Sequence, residues 1–125
     1  PCTNDTKGAF SSQVNAIEPA GATNAAAGLE LAKGQTSGRS DAKKIVIFFT
    51  DGTPTTQSKF SPAVASSAVG NAKEMKDAGA AVYSIGIFQG ADPAKYPNEQ
   101  GVSNENKFMH AVSSNYPSAT YKGGG

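Results

Sequence analysis

Two residues of this chain combine oxygen chemistry with a position able to use it. Asp51 closes the run Ile45-Val46-Ile47-Phe48-Phe49-Thr50 and is followed by Gly52. Six apolar or β-branched residues ending on an acid and a glycine mark a buried parallel strand whose C-terminal end offers a carboxylate to a crevice. Thr23 lies in Gly21-Ala22-Thr23-Asn24, just before an Ala-rich stretch. A carboxylate and a hydroxyl at the ends of such elements are hard oxygen donors, suited to Mg²⁺ rather than to a soft metal. Each has a plainer reading beside this one: Asp-Gly is a common turn pair, and Thr caps helices.

Other chemistry has less to build with. Phe49-Thr-Asp-Gly-Thr53 superficially resembles the Asp-x-Asp-Gly-Thr signature of haloacid-dehalogenase-type phosphatases. Phenylalanine stands where the nucleophilic aspartate would be, and it cannot carry a phosphoryl group. Neither Gly-x-Gly-x-x-Gly nor Gly-x-x-x-x-Gly-Lys-Ser/Thr occurs, so no dinucleotide or phosphate loop is written here. His110 and Cys2 are the single residues of their types, which leaves no Ser-His-Asp or Cys-His arrangement. His110 beside Phe108 and Met109 reads as a structural residue, and Cys2 as unpaired or joined to sequence outside the chain. The expectation is a protein that is not an enzyme.

The elements that must position Asp51 and Thr23 follow from caps and breakers. Residues 1–20 are polar, without sustained periodicity, and read as an irregular lead-in or insertion remnant. Thr23 or Asn24 caps a helix over about 24–33, which ends at Lys33-Gly34. The strand runs about 44–50 and a polar loop covers 52–60. Ser61 caps, and Pro62 opens, a helix to about Ala78 that stops at Gly79, with Val64, Ala68, Ala72 and Met75 as its apolar stripe. Lys73–Asp77 is an i,i+4 pair on its solvated side. A second strand covers 81–88, completing a strand–helix–strand crossover. After a Gly/Pro/Asn loop, a helix over about 104–114 buries Phe108, Met109 and Val112, and residues 118–122 begin one more strand. The fold class is α/β with a doubly wound, mostly parallel sheet. Strands this apolar need cover on both faces and neighbours on both edges, so three helices and two or three strands predict an incomplete domain.

Composition narrows the partners. Eleven basic against ten acidic residues, scattered along the chain, form no phosphate-tracking surface and argue against nucleic acid. No apolar stretch approaches the roughly 20 residues needed to span a bilayer. Fourteen glycines, no tryptophan and abundant Ala, Ser, Thr and Asn predict a loop-rich extracellular domain.

Gly21-Ala-Thr-Asn24, Ile45-Val-Ile-Phe-Phe-Thr-Asp-Gly52 and Ala72-Lys-Glu-Met-Lys-Asp-Ala-Gly79 leading into Val82-Tyr-Ser-Ile-Gly86 occur in an order that resembles the C-terminal part of a von Willebrand factor type A domain. The segment 108–117 is similar to the last helix in versions from Gram-positive surface and pilus proteins. The resemblance implies a partial domain over 21–122 with a Gly tail at 123–125. It also implies a metal-ion-dependent adhesion site, in which Thr23 and Asp51 match two of three ligand elements. The third, an Asp-x-Ser-x-Ser run, occurs nowhere in the 125 residues. By this resemblance Mg²⁺ (or Mn²⁺ or Ca²⁺) is bound in the intact domain and weakly or not at all by this chain. Thr53 and Thr55 would line the rim of the site. The implied partner is a host or extracellular-matrix protein, with the missing N-terminal part of the same domain as a further partner. The implied location is the bacterial surface or pilus, anchored to the wall through sequence outside the chain. The alternatives are a non-binding structural or assembly domain and an A domain of a metal-chelatase-type complex.

Overall fold

The computed structural model describes residues 4–18, 23–38, 41–56, 59–95 and 99–115. The elements in chain order are α1 (Asn4–Asn15), α2 (Ala25–Thr36), β1 (Ile45–Thr50), β2 (Thr55–Thr56), β3 (Lys59–Phe60), α3 (Pro62–Asp77), β4 (Ala81–Gly86) and α4 (Asn104–Val112). β1 and β4 pair in parallel over their whole length, Ile45 opposite Ala81 through Thr50 opposite Gly86, with α3 as the crossover between them. β2 and β3 form a separate two-residue antiparallel ladder. The architecture is an incomplete α/β Rossmann-like fold.

Local chemistry sets the borders of α3. Ser61 Oγ accepts from the Val64 amide at 3.4 Å and Pro62 opens the first turn. At the other end Gly79 takes φ +84°, a left-handed conformation that glycine adopts without a Cβ penalty. The Gly79 amide then donates to Lys76 O and the Ala80 amide to Met75 O, each at 2.9 Å. Both bonds satisfy carbonyls that the helix would otherwise leave open, and Met75 and Ala80 are buried together there.

The core lies between one face of the β1–β4 sheet and helices α2, α3 and α4. Val46 and Val82 face each other across the sheet on the buried side. Phe48 meets Phe108 of α4 edge-on, ring centroids 5.8 Å apart. Lys33 Nζ donates to Asn71 Oδ1 at 2.9 Å and pairs with Glu74 at 3.1 Å, while Asn71 Nδ2 donates to Ala26 O. These bonds join α2 to α3. The Lys73–Asp77 pair is present on the exposed side of α3.

Three expectations need correction. Residues 1–20 are not irregular throughout, because 4–15 are helical. Gly34 does not end α2, which runs on to Thr36. The last-turn hydroxyls explain the extension: Thr36 Oγ1 donates to Lys33 O and Ser37 Oγ to Gly34 O. The 52–60 loop holds the β2–β3 ladder. As the expected incomplete domain implies, the described residues cover the strands on one face only, leaving Ile47 65% and Phe49 61% exposed. The physical reason is that α2, α3 and α4 all pack on the opposite side. Tyr83 is likewise exposed, whereas Phe88 is half-buried against the core. The strand expected over 118–122, the 123–125 tail and Cys2 lie outside the described residues.

Candidate functional site

The C-terminal ends of β1 and β4 lie together, and two loops meet beyond them. The Thr55 amide donates to Thr23 O at 3.2 Å, and the Thr23 amide donates to Thr55 Oγ1 at 3.3 Å. This two-way bond places the segment ahead of α2 against the segment that follows Asp51. Asn24, not Thr23, caps α2, its Oδ1 accepting from the Ala27 amide at 3.2 Å. Thr23 is therefore released from the capping role, and its side chain is half-buried at the junction.

Asp51 is held at the tip of a tight turn. The Thr50 hydroxyl donates to Gly52 O at 2.9 Å and accepts from the Gly52 amide at 3.2 Å, closing the turn around it. Asp51 itself is exposed. Beyond it Pro54 is fully buried, and its carbonyl accepts from the Ser61 amide at 3.0 Å. The loop is thus pinned at Thr50, Pro54 and Thr55, which gives an exposed carboxylate a fixed base. Thr53 and Thr55 are half-buried within it.

The structure therefore brings Thr23 and Thr55 together and sets Asp51 on the same loop as Thr55. Sequence reasoning overlooked the positioning roles of Thr50 and Pro54. A proline between two threonines directly after an Asp-Gly turn was the available signal. Thr55, expected on the rim, also clamps the Thr23 backbone.

The donor set does not by itself fit a resident Mg²⁺. The ion prefers six oxygens at about 2.1 Å. Here one carboxylate stands with threonine hydroxyls, and no group of three or more His, Cys, Asp or Glu able to hold a metal exists among the described residues. A concavity of about 330 Å³ lies along β4 and α4 and is lined in part by Tyr83, Ser84, Asp92 and His110. Thr23 and Asp51 are not in its wall. Its polar groups are largely occupied: Ser84 Oγ donates to Met109 O, and Asn106 bridges Gly90 O and the Asp92 amide.

The family model of the von Willebrand factor type A domain matches residues 2–119. The match takes in α1 as well as the segment from Gly21 onward. No curated protein and no solved structure matches the chain. No helix among the described residues is long and apolar enough to cross a membrane.

Proposed function

Because this chain belongs to the von Willebrand factor type A family, whose general role is adhesion and protein interaction, we propose that the edge carrying Thr23 and Asp51 is a protein-capture surface. The proposed setting is extracellular, on a Gram-positive cell surface or pilus tip, and the proposed partner is a host or matrix protein. The activity is binding rather than catalysis. The observation that carries this reading is the two-way bond between Thr23 and Thr55, which supports the Thr loop and the Asp51 loop on one sheet edge.

The metal dependence belongs to the same proposal. Asp51 and Thr23 supply one side of a Mg²⁺ site, and the remaining oxygens come from outside these 125 residues. Two protein ligands hold Mg²⁺ poorly, so the chain by itself is expected to bind Mg²⁺ or Mn²⁺ no tighter than about millimolar. Calorimetric titration checks this; a micromolar dissociation constant would show that the chain carries a complete site. For the capture role, cells displaying the protein are tested on immobilised host matrix proteins with and without chelator. Asp51→Ala and Thr23→Ala should each abolish the chelator-sensitive part of adhesion. Adhesion unchanged in both variants would favour the second reading, a non-binding assembly domain, which the single carboxylate at the site also supports.

A further inference from the structure

β1 has an open edge. In its parallel ladder with β4, the Ala81 amide donates to Lys44 O and the Ile87 amide to Thr50 O, each at 2.9 Å. These two bonds fix the parity of both strands. Val46, Phe48 and Thr50 turn their N–H and C=O groups toward β4, so those of Ile45, Ile47 and Phe49 point away from it. The far side of β4 shows how such an edge is closed: the Val82 amide donates to Ser114 Oγ and Val82 O accepts from the Ser114 amide, each at 2.8 Å. No described residue does the same for β1. Edge strands are normally blunted by a charge, a proline or a bulge within them. Ile45 to Phe49 holds no charge and no proline, and Ile45, Ile47 and Phe49 are 56%, 65% and 61% exposed.

We propose that this edge binds a second copy of the chain, β1 against β1, antiparallel about a two-fold axis at Ile47. The edge is self-complementary in that register. Ile47 meets Ile47 of the second copy and Ile45 meets Phe49, so every residue with outward-pointing backbone groups faces another of the same set. That is the arrangement in which antiparallel partners exchange both hydrogen bonds. The side chains agree with the backbone: Ile stands opposite Phe or Ile on the outward face, and Val46 opposite Phe48 on the core side, all favourable cross-strand pairs. Charge then selects the register. Lys43 lies two residues before Ile45 and Asp51 two residues after Phe49, and both are exposed. Each Lys43 therefore stands opposite Asp51 of the second copy, closing both ends of the interface with opposite charges. Slipping by two residues one way sets Asp51 against Ile45, and the other way against Asp41, so either slip loses both pairs. A two-stranded sheet is marginal by itself, and the pairing makes it a sheet of four. It also engages the Asp51 carboxylate of the candidate site with a lysine from the other copy.

Sedimentation equilibrium on the full chain tests this. The chain should be dimeric at about 100 μM, and a monomer at that concentration overturns the proposal. Lys43→Asp and Asp51→Lys should each weaken the dimer about tenfold, because like charges then stand directly opposite at both ends. The double variant should restore it. Ile47→Pro removes the central N–H of the open edge and leaves the donors to β4 in place, so it should abolish the dimer with the far-UV spectrum unchanged. Should that variant fail to fold, the charge exchange alone decides. Oxidative cross-linking in a Cys2→Ser background fixes the geometry. Ile47→Cys should link two chains, since partners that exchange both bonds hold their Cα atoms about 5.5 Å apart, within disulfide reach. Ile85→Cys, on the same face but one strand further from the axis, should not. A dimer indifferent to both charge reversals, or one linked through Ile85→Cys as readily as through Ile47→Cys, as face-to-face packing of the two sheets would give, refutes the edge pairing.

Discussion

Asp51 and Thr23 stand out in the sequence because each sits at a sharp change of pattern, an apolar run ending on an acid and a turn opening a helix. What joins them was not legible. The link runs through Thr55, whose amide and hydroxyl both bond the Thr23 backbone. Backbone partners 32 residues apart carry no signature of residue type. Thr55→Val keeps the shape and the amide but removes the acceptor for the Thr23 N–H. The expected cost is about 1 kcal/mol of stability, the usual net value of one hydrogen bond. A larger effect is expected on capture, because Thr23 loses one of its two hydrogen bonds to Thr55. Urea unfolding and the adhesion assay measured side by side separate these. A Thr55→Val variant that loses stability and keeps full chelator-sensitive adhesion would show that the clamp does not matter to the site.

The elements divide by the kind of signal that defines them. α3 was readable at both ends, because Ser61-Pro62 and Gly79 are local caps whose chemistry needs no tertiary partner. α1 was missed because Gly8, Ser11 and Ser12 dilute its propensity, although Phe10, Val14 and Ile17 carried a helical spacing. α4 shows the opposite case, an end completed from another element. Lys76 of α3 donates to Ala111 O at 2.9 Å and to Ser113 O at 3.1 Å, placing a cation on the negative end of α4. Burial lowers the Lys76 pKa below its ordinary 10.5, with nearby Asp77 opposing and Lys73 adding to the effect. The folded chain therefore releases this proton before the unfolded chain does. Between the lowered value and 10.5 the unfolded chain binds more protons, so the Lys76 contribution to stability rises with pH across that window and is constant below it. Lys76→Met removes both bonds and is expected to cost about 1 kcal/mol near neutral pH, modest because the side chain is partly exposed. Urea midpoints of both proteins through the alkaline window check the sign: wild type should gain on the variant as pH rises, and the reverse slope would contradict the burial of the ammonium.

At the scale of the whole molecule, the apolar pattern of the strands promised two covered faces, and the described residues cover one. A period-two alternation would have announced a one-sided sheet, but Ile45 to Phe49 are apolar on both sides, so the sequence carries the demand for a second layer without containing its helices in the described arrangement. The consequence is energetic. Of the buried hydrophobic residues among those described, six are alanines (25, 65, 68, 72, 80 and 111), each contributing little apolar area, while six large side chains stand outward on the bare face. At about 25 cal/mol per Å² the outward residues forgo much of the burial that normally offsets chain entropy. Domains of ordinary completeness reach about 5–15 kcal/mol, and this chain alone is expected to fall below that range, because its core is built on one side of a two-stranded sheet. Circular dichroism through a urea series reads the outcome directly. A low midpoint is expected from the low stability, and a shallow slope from the small surface newly exposed on unfolding. Phe108→Ala, which deletes the largest fully buried side chain and its edge contact with Phe48, should abolish the transition, because its cost of about 3–5 kcal/mol equals or exceeds the stability available. A steep transition that survives Phe108→Ala would mean that the outward face of β1 and β4 is covered in solution.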